Sequence, residues 1–205
     1  MRELKRLYGI QAVIVPEVEV EIAWHKKFQD RYQQALDKAI HDHVLAKYDD
    51  WLPQAFKGGS ATAIENSIQQ LGAEYGKRVG RGEAYTLAAA VVLDQPALSH
   101  DREALDVLID KGHQVPHTVL RVFDVLALLY QAEILTEAEC DRIRQAILQN
   151  SREFVPRAFR NASFRNGLGN FCPRFQDGSM PTVGLASPAA NAPPYCSRIL
   201  LVRSA

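Results

Sequence analysis

The feature that most constrains this chain is a repeated junction, in which a short apolar run passes directly into residues that begin a helix. In "QAVIVPEVEVEI" the β-branched run Val13 to Val15 meets Pro16, whose fixed φ and missing N–H suit a first helical turn, and Glu17, which favours the N-terminal end of the helix dipole. In "PALSHDREALDVLIDKGHQVPH" a short buried strand, "PALS", precedes a helix with Asp101 as candidate N-cap and Gly112 as candidate stop, and "HQVPH" comes next as a second short strand. Strands joined through helices lie parallel, so the pattern predicts an α/β fold with a short parallel sheet and helices on both faces.

The intervening segments supply the helices. Ile22, Phe28, Tyr32, Leu36, Ile40 and Val44 recur among polar residues and predict one long amphipathic helix. Pro53 and the Gly58-Gly59 pair predict a loop, and "AIENSIQQLGAEYGKRV" a second helix. The turn "GRGE" opens a small-residue helix from Glu83 to about Leu93. "TVLRVFDVLALLYQAEIL" and "TEAECDRIRQAILQ" predict two further helices, the second opening with the capping-box residues Thr136 and Glu139.

Beyond Asn150 the character changes. Six of the chain's 10 prolines lie there, lysine is absent and no hydrophobic period persists, so residues 151–205 are expected to form an irregular, disordered tail after a domain spanning 1–150. That tail carries seven arginines against two acids, although the whole chain balances 24 basic against 24 acidic residues. An arginine-bearing tail of this kind suits electrostatic contact with nucleic acid. No run approaches the roughly 18 apolar residues that span a bilayer, and the cysteines at 140, 172 and 196 lack metal-site or redox spacing, so no membrane partner and a reducing, cytoplasmic location are expected.

Ligands of an open parallel sheet bind beyond the carboxyl ends of its strands. Asp101 comes after "PALS" at such an end, Glu83 opens the preceding helix, and Glu21 lies about one turn into the helix after "VIV". Carboxylates gathered on one rim repel one another unless a cation intervenes, and hard oxygen donors select Mg²⁺ or Mn²⁺, which activates water for attack on a phosphodiester. Each acid also has a plain structural role open to it. Asp101 makes a good N-cap, Glu83 complements a helix dipole, and Glu21 competes with Glu17 and Glu19 on what can be a solvated face. His100 beside Asp101 is a loop histidine, and Ser99 offers no histidine partner that would mark a nucleophile.

Taken in order, these segments resemble the PIN-domain family of metal-dependent ribonucleases, in the bacterial branch related to toxin–antitoxin nucleases. "VIVPEVEVEI" is similar to that family's strand, proline and helix with an acid before an aliphatic residue, which maps onto Glu21 and Ile22. "GRGEAYTLAAA" resembles its glycine-acid motif, mapping onto Glu83, and "ALSHDREALDVLIDKGHQV" its last acid, mapping onto Asp101. "VLRVFDVLALLYQAEILTEAECDRI" looks like the closing helix pair, so the resemblance covers about Leu4 to Leu148.

The resemblance implies a PIN-like three-layer α/β/α fold and a Mg²⁺- or Mn²⁺-dependent endoribonuclease, with Glu83, Asp101 and Glu21 as catalytic metal ligands. It implies RNA as substrate, an antitoxin or other protein as partner, and a homodimer. The alternative is a catalytically inactive PIN-like binding or regulatory protein. One departure stands out. The family begins with a strand that ends in aspartate and lies at the centre of the sheet, whereas "MRELKRLYGIQAVIV" resembles the helix end and second strand that come after it. A domain lacking its central first strand is expected, unless an earlier start, another chain or another segment supplies it.

Overall fold

A computed structural model describes residues 11–24, 26–56, 59–99, 102–110, 119–131, 133–150, 152, 155–171 and 199–202. In chain order these form β1 (Gln11–Ile14), α1 (Pro16–Trp24), α2 (Lys26–His41), β2 (Leu45–Lys47), α3 (Tyr48–Ala55), α4 (Gly59–Tyr75), α5 (Arg81–Val92), β3 (Ala97–Leu98), α6 (Arg102–Asp110), β4 (Val119–Leu120), α7 (Val122–Gln131), α8 (Glu137–Asn150), α9 (Arg157–Arg160), α10 (Phe164–Leu168) and β5 (Ile199–Val202). The fold is mixed α/β, mostly helical, with a short parallel sheet in the order β2-β1-β5-β3-β4. No helix among the described residues is long and apolar enough to cross a membrane.

The first junction forms as its residues dictate. β1 is buried along its whole length, and the amides of Val18 and Glu19 bond to the Val15 carbonyl, so α1 starts within two residues of the strand. α1 then turns Val18 and Ile22 into the core. The long helix expected across Ile22 to Val44 is instead two helices and a strand. α2 ends at His41, where His43 adopts a left-handed φ of 53° and the Val44 amide reaches back to the Ala39 carbonyl. That reversal leads the chain into β2, whose Leu45 pairs with Ala12 of β1. Pro53 does not mark a loop either. It lies inside α3, which is held to the core by buried Tyr48 and Leu52 on one face.

α5 is built from small residues, and Gly82 through Ala90, with Tyr85 alone less covered, are buried. Its approach to α4 requires Gly72, where a Cβ would stand 2.9 Å from the Tyr85 ring. Beyond β3 the expected strand "HQVPH" and the stop at Gly112 lie outside the described residues. The helix expected from Thr118 begins later, because Val119 and Leu120 pair with Ala97 and Leu98 as β4, and α7 starts at Val122. The capping box of α8 is closed, with Thr136 N–H donating to Glu139 Oε2 at 2.9 Å and Glu139 N–H to Thr136 Oγ1 at 3.3 Å.

Two expectations for the ends of the chain are corrected. The sheet does not lack a central strand, since β5 lies between β1 and β3, parallel to both, with Val13 and Ala97 flanking Leu201 and with Ile14 and Leu98 flanking Val202. A later segment of the same chain therefore occupies the central position. The chain after Asn150 is also not irregular throughout, because α9 and α10 fold back onto α7 and α8. Phe159 lies 4.8 Å from Phe123, 5.2 Å from Phe164 and 4.8 Å from Phe171, ring centre to ring centre, forming a second apolar core with Cys140, Leu126 and Val155. Burying these aromatic rings offsets the entropy of ordering a proline-bearing segment, which composition alone does not reveal. Residues 172–198 lie outside the described residues.

Leu201→Pro removes a backbone donor from the strand that joins the two halves of the sheet. The expected result is a loss of about 1–3 kcal/mol or more in a urea melt, the cost of leaving a buried polar partner unmade. An unchanged midpoint would show that the pairing of β5 contributes nothing.

Candidate functional site

The register aligns the carboxyl ends of three strands, with Ile14, Val202 and Leu98 side by side. Ser99 comes immediately after β3, and its amide donates to the Leu120 carbonyl at 2.9 Å, which fixes the backbone where the strand ends. The Ser99 hydroxyl donates to Glu83 Oε1 at 2.8 Å. Glu83 is only 1% exposed and Ser99 only 3%, so this carboxylate is no surface complement to a helix dipole. It is a buried acid, fixed by a hydroxyl against the end of the sheet. Burial of such a group is tolerable only with hydrogen-bond partners, and the first turn of α5 adds a favourable dipole.

Glu21 arrives from the other side. Its Oε1 accepts the Gly82 N–H at 2.8 Å, so the α1 carboxylate satisfies an amide in the first turn of α5. Only glycine permits this approach, since a Cβ on residue 82 would lie 2.6 Å from Glu21 Oε2. The three acids of α1 are thereby told apart. Glu19 pairs with Lys47 at 2.6 Å, Glu21 holds the α5 turn, and Glu17 lies 4.0 Å from Arg81. Burial pushes the Glu17 carboxyl above its ordinary value, and Glu65 and Asp49 add to the rise while its backbone hydrogen bond and Arg81 oppose it.

Two of the three expected site residues, Glu21 and Glu83, thus stand at the first turn of one helix. Asp101, like His100, lies outside the described residues. Among the described residues no three His, Cys, Asp or Glu side chains are grouped closely enough to hold a metal ion. The carboxylate oxygens of Glu21 and Glu83 are of the donor class that Mg²⁺ and Mn²⁺ prefer, and they fit such an ion as part of a ligand set rather than as all of it.

No family model, no curated protein and no solved structure matches this chain. The chemistry of the site rests on its own geometry.

Two residues of the site escape a reading of the sequence. Ser99 holds a carboxylate, and the signal for it is a hydroxyl directly after an apolar run. Gly82 reads as a turn residue, and the signal for its role is a glycine one position before an acid at a helix start. At the neighbouring strand end Asp124 is wholly buried and accepts from the Arg121 amide at 2.7 Å and from its guanidinium at 2.8 Å through both oxygens, while Arg121 lies 4.7 Å over the Phe171 ring. This bidentate pair ties the α7 start to the second core.

The tight packing at Gly82 and the burial of Glu17 can each be tested. Gly82→Ala displaces the Glu21 carboxylate, losing about 1.5–3 kcal/mol of charge-assisted hydrogen bonding against a gain of about 1 kcal/mol in helix propensity. The expected net loss of about 1 kcal/mol, read by denaturant melting, reverses sign in a Glu21→Ala background. Glu17 tests the pH dependence. A folded-state value above the unfolded one means that the folded chain holds the proton more tightly, so stability falls as pH rises from the unfolded value through the folded one. Glu17→Gln should melt higher than the wild type at pH 7 and lose that advantage below about pH 4, where both states are protonated; a pH-independent difference would contradict the assignment.

Proposed function

We propose that this chain is a PIN-like, Mg²⁺- or Mn²⁺-dependent endoribonuclease, with Glu21, Glu83 and Asp101 as the metal-binding acids of a three-layer α/β/α domain. The observation that carries the reading is the buried Glu83 carboxylate, fixed by Ser99 at the carboxyl end of β3 and adjacent in sequence to the Gly82 amide that Glu21 binds. Acids held rigidly at the end of a parallel sheet, where the ends of three strands align, suit a site that must keep its geometry as charge changes. A bound divalent ion supplies an activated water and stabilises charge developing on a phosphodiester. The chain's own residues do the positioning. Ser99 holds Glu83 by donating its hydroxyl proton, Gly82 holds Glu21 through its amide, and Asp101, two residues after Ser99, completes the set in sequence.

A second reading is favoured by the same hydrogen bonds. Because Ser99 and Gly82 already engage these carboxylates, a non-catalytic binding protein that uses the acids to hold α5 is the competing reading, with an antitoxin-type protein or a second copy of the chain as partner. The two differ in their response to metal. For the nuclease, Mn²⁺ at about 100 times its Kd stabilises the full chain by about 2.7 kcal/mol, and Asp101→Asn removes the effect. Cleavage of a labelled single-stranded RNA should then require Mn²⁺ and be lost in Asp101→Asn and Glu83→Gln. A melting curve indifferent to Mn²⁺, together with intact RNA, would sink the nuclease reading and leave the binding protein.

A further inference from the structure

α1 inverts the usual order of a surface helix. Val18 and Ile22 make its core side, yet its three exposed residues, Val20, Ala23 and Trp24, are apolar as well, while the acids Glu17, Glu19 and Glu21 are the partly covered ones. At about 3.6 residues per turn, Val20, Ala23 and Trp24 form one strip directly opposite Val18 and Ile22. Val20 is 53% exposed and Trp24 86%. Apolar residues on both sides are the mark of a helix that is enclosed, and an indole on the outer side is the kind of anchor that packing partners use.

The size of the strip bears on what covers it. One indole and two small side chains offer roughly a few hundred Å², whereas a stable interface between separate chains needs about 800 Å² from each partner. An occupant tethered to the same chain escapes that requirement, because its effective concentration is on the order of millimolar. Residues 1–10, which lie outside the described residues, lead directly into β1, and β1 leads into α1. Ten extended residues reach about 33 Å, against about 30 Å for β1, Val15 and α1 laid end to end. Their sequence carries Leu4, Leu7 and Tyr8 at three- and four-residue spacing, with Arg2, Lys5 and Arg6 against the single acid Glu3. α1 holds three acids and no basic residue; Glu19 is met by Lys47, and Glu17 lies 4.0 Å from Arg81. A segment both apolar and basic therefore complements a helix both apolar and acidic.

We propose that residues 1–10 pack across the outer side of α1, with Leu4, Leu7 and Tyr8 against Val20, Ala23 and Trp24 and with the basic residues toward the acids that flank the strip. α1 carries Glu21 to the Gly82 amide, so a strap over its outer side presses α1 onto α5 and steadies that carboxylate. The strap is independent of the nuclease reading, because neither the strip nor the segment includes Glu83 or Asp101 and no metal takes part.

The test is acrylamide quenching of tryptophan fluorescence in the full chain, in EDTA. Of the chain's two tryptophans, Trp51 is replaced by Trp51→Phe, which keeps an aromatic ring against Tyr48 and Phe56 and leaves Trp24 as the only reporter. Trp24 is expected to be shielded in this protein. Leu4→Glu with Leu7→Glu should raise its quenching constant about threefold and shift its emission to the red, as a mostly docked segment is released, with circular dichroism showing the variant folded. Should that variant fail to fold, the milder Leu7→Ala decides, and is expected to raise the constant in the same direction. Trp24 as accessible as free tryptophan before any change to residues 1–10, or quenching unaltered by the leucine substitutions, would overturn the proposal. Shielding that disappears on dilution would also overturn it, since a second copy of the chain would then cover the strip.

Discussion

The backbone ladder of β5 is the interaction on which the rest of this structure depends. Among the described residues Ile199–Val202 alone lies between β1 and β3 in the strand order, so the two halves of the sheet are joined through four residues distant in sequence from both. β1 carries α1 and therefore Glu21, while β3 carries Ser99 and therefore the partner of Glu83. The Gly82–Glu21 bond then sets Glu21 against the first turn of the helix that carries Glu83. Pairing residues so distant in sequence costs only logarithmically more loop entropy than pairing near ones, but it delays folding until both ends of the chain have met.

α5 is the second determinant. Its alanines allow close packing on all sides, which leaves Glu83 too enclosed to be solvated and makes the Ser99 hydroxyl necessary rather than incidental. The same closeness explains Gly82, because any side chain there would occupy the place of the Glu21 carboxylate. One physical fact, the lack of room around the first turn of α5, thus accounts for a serine, a glycine and two acids. It also explains why the site serves equally well as a ligand set and as a structural clasp. Both roles require the carboxylates to be immobile.

The second core obeys a different logic. Phe123, Phe159, Phe164 and Phe171 gather around one another, and polar ties hold their backbones. Arg144 donates to the Phe159 carbonyl and pairs with Asp141, which in turn accepts the Phe164 amide. Arg121 spans both, bonding Asp124 and covering Phe171. Enclosed there, Cys140 has its thiol pushed up to about 11, chiefly by burial, so it packs as an apolar side chain.

Local signals determined a good deal by themselves. The strand into Pro16, the small-residue helix after "GRGE", the short strand "PALS" and the Thr136–Glu139 box were all legible, because turn chemistry, capping and side-chain period act over a few residues. Glu83 was legible as an acid at a helix start, and Glu21 as an acid about one turn into the helix after a strand. The sequence could not disclose partners far apart along the chain. The aromatic tail was hidden by its prolines, β2 by a left-handed histidine that ended a helix early, and the central strand by its distance along the chain, Ile199 pairing with Gln11. The Ser99–Glu83 and Gly82–Glu21 bonds exist only once segments far apart in sequence have packed together. Sequence encodes which groups seek burial or a hydrogen bond, and tertiary structure alone decides which of them meet, since a parallel ladder can be completed by any apolar strand able to reach it.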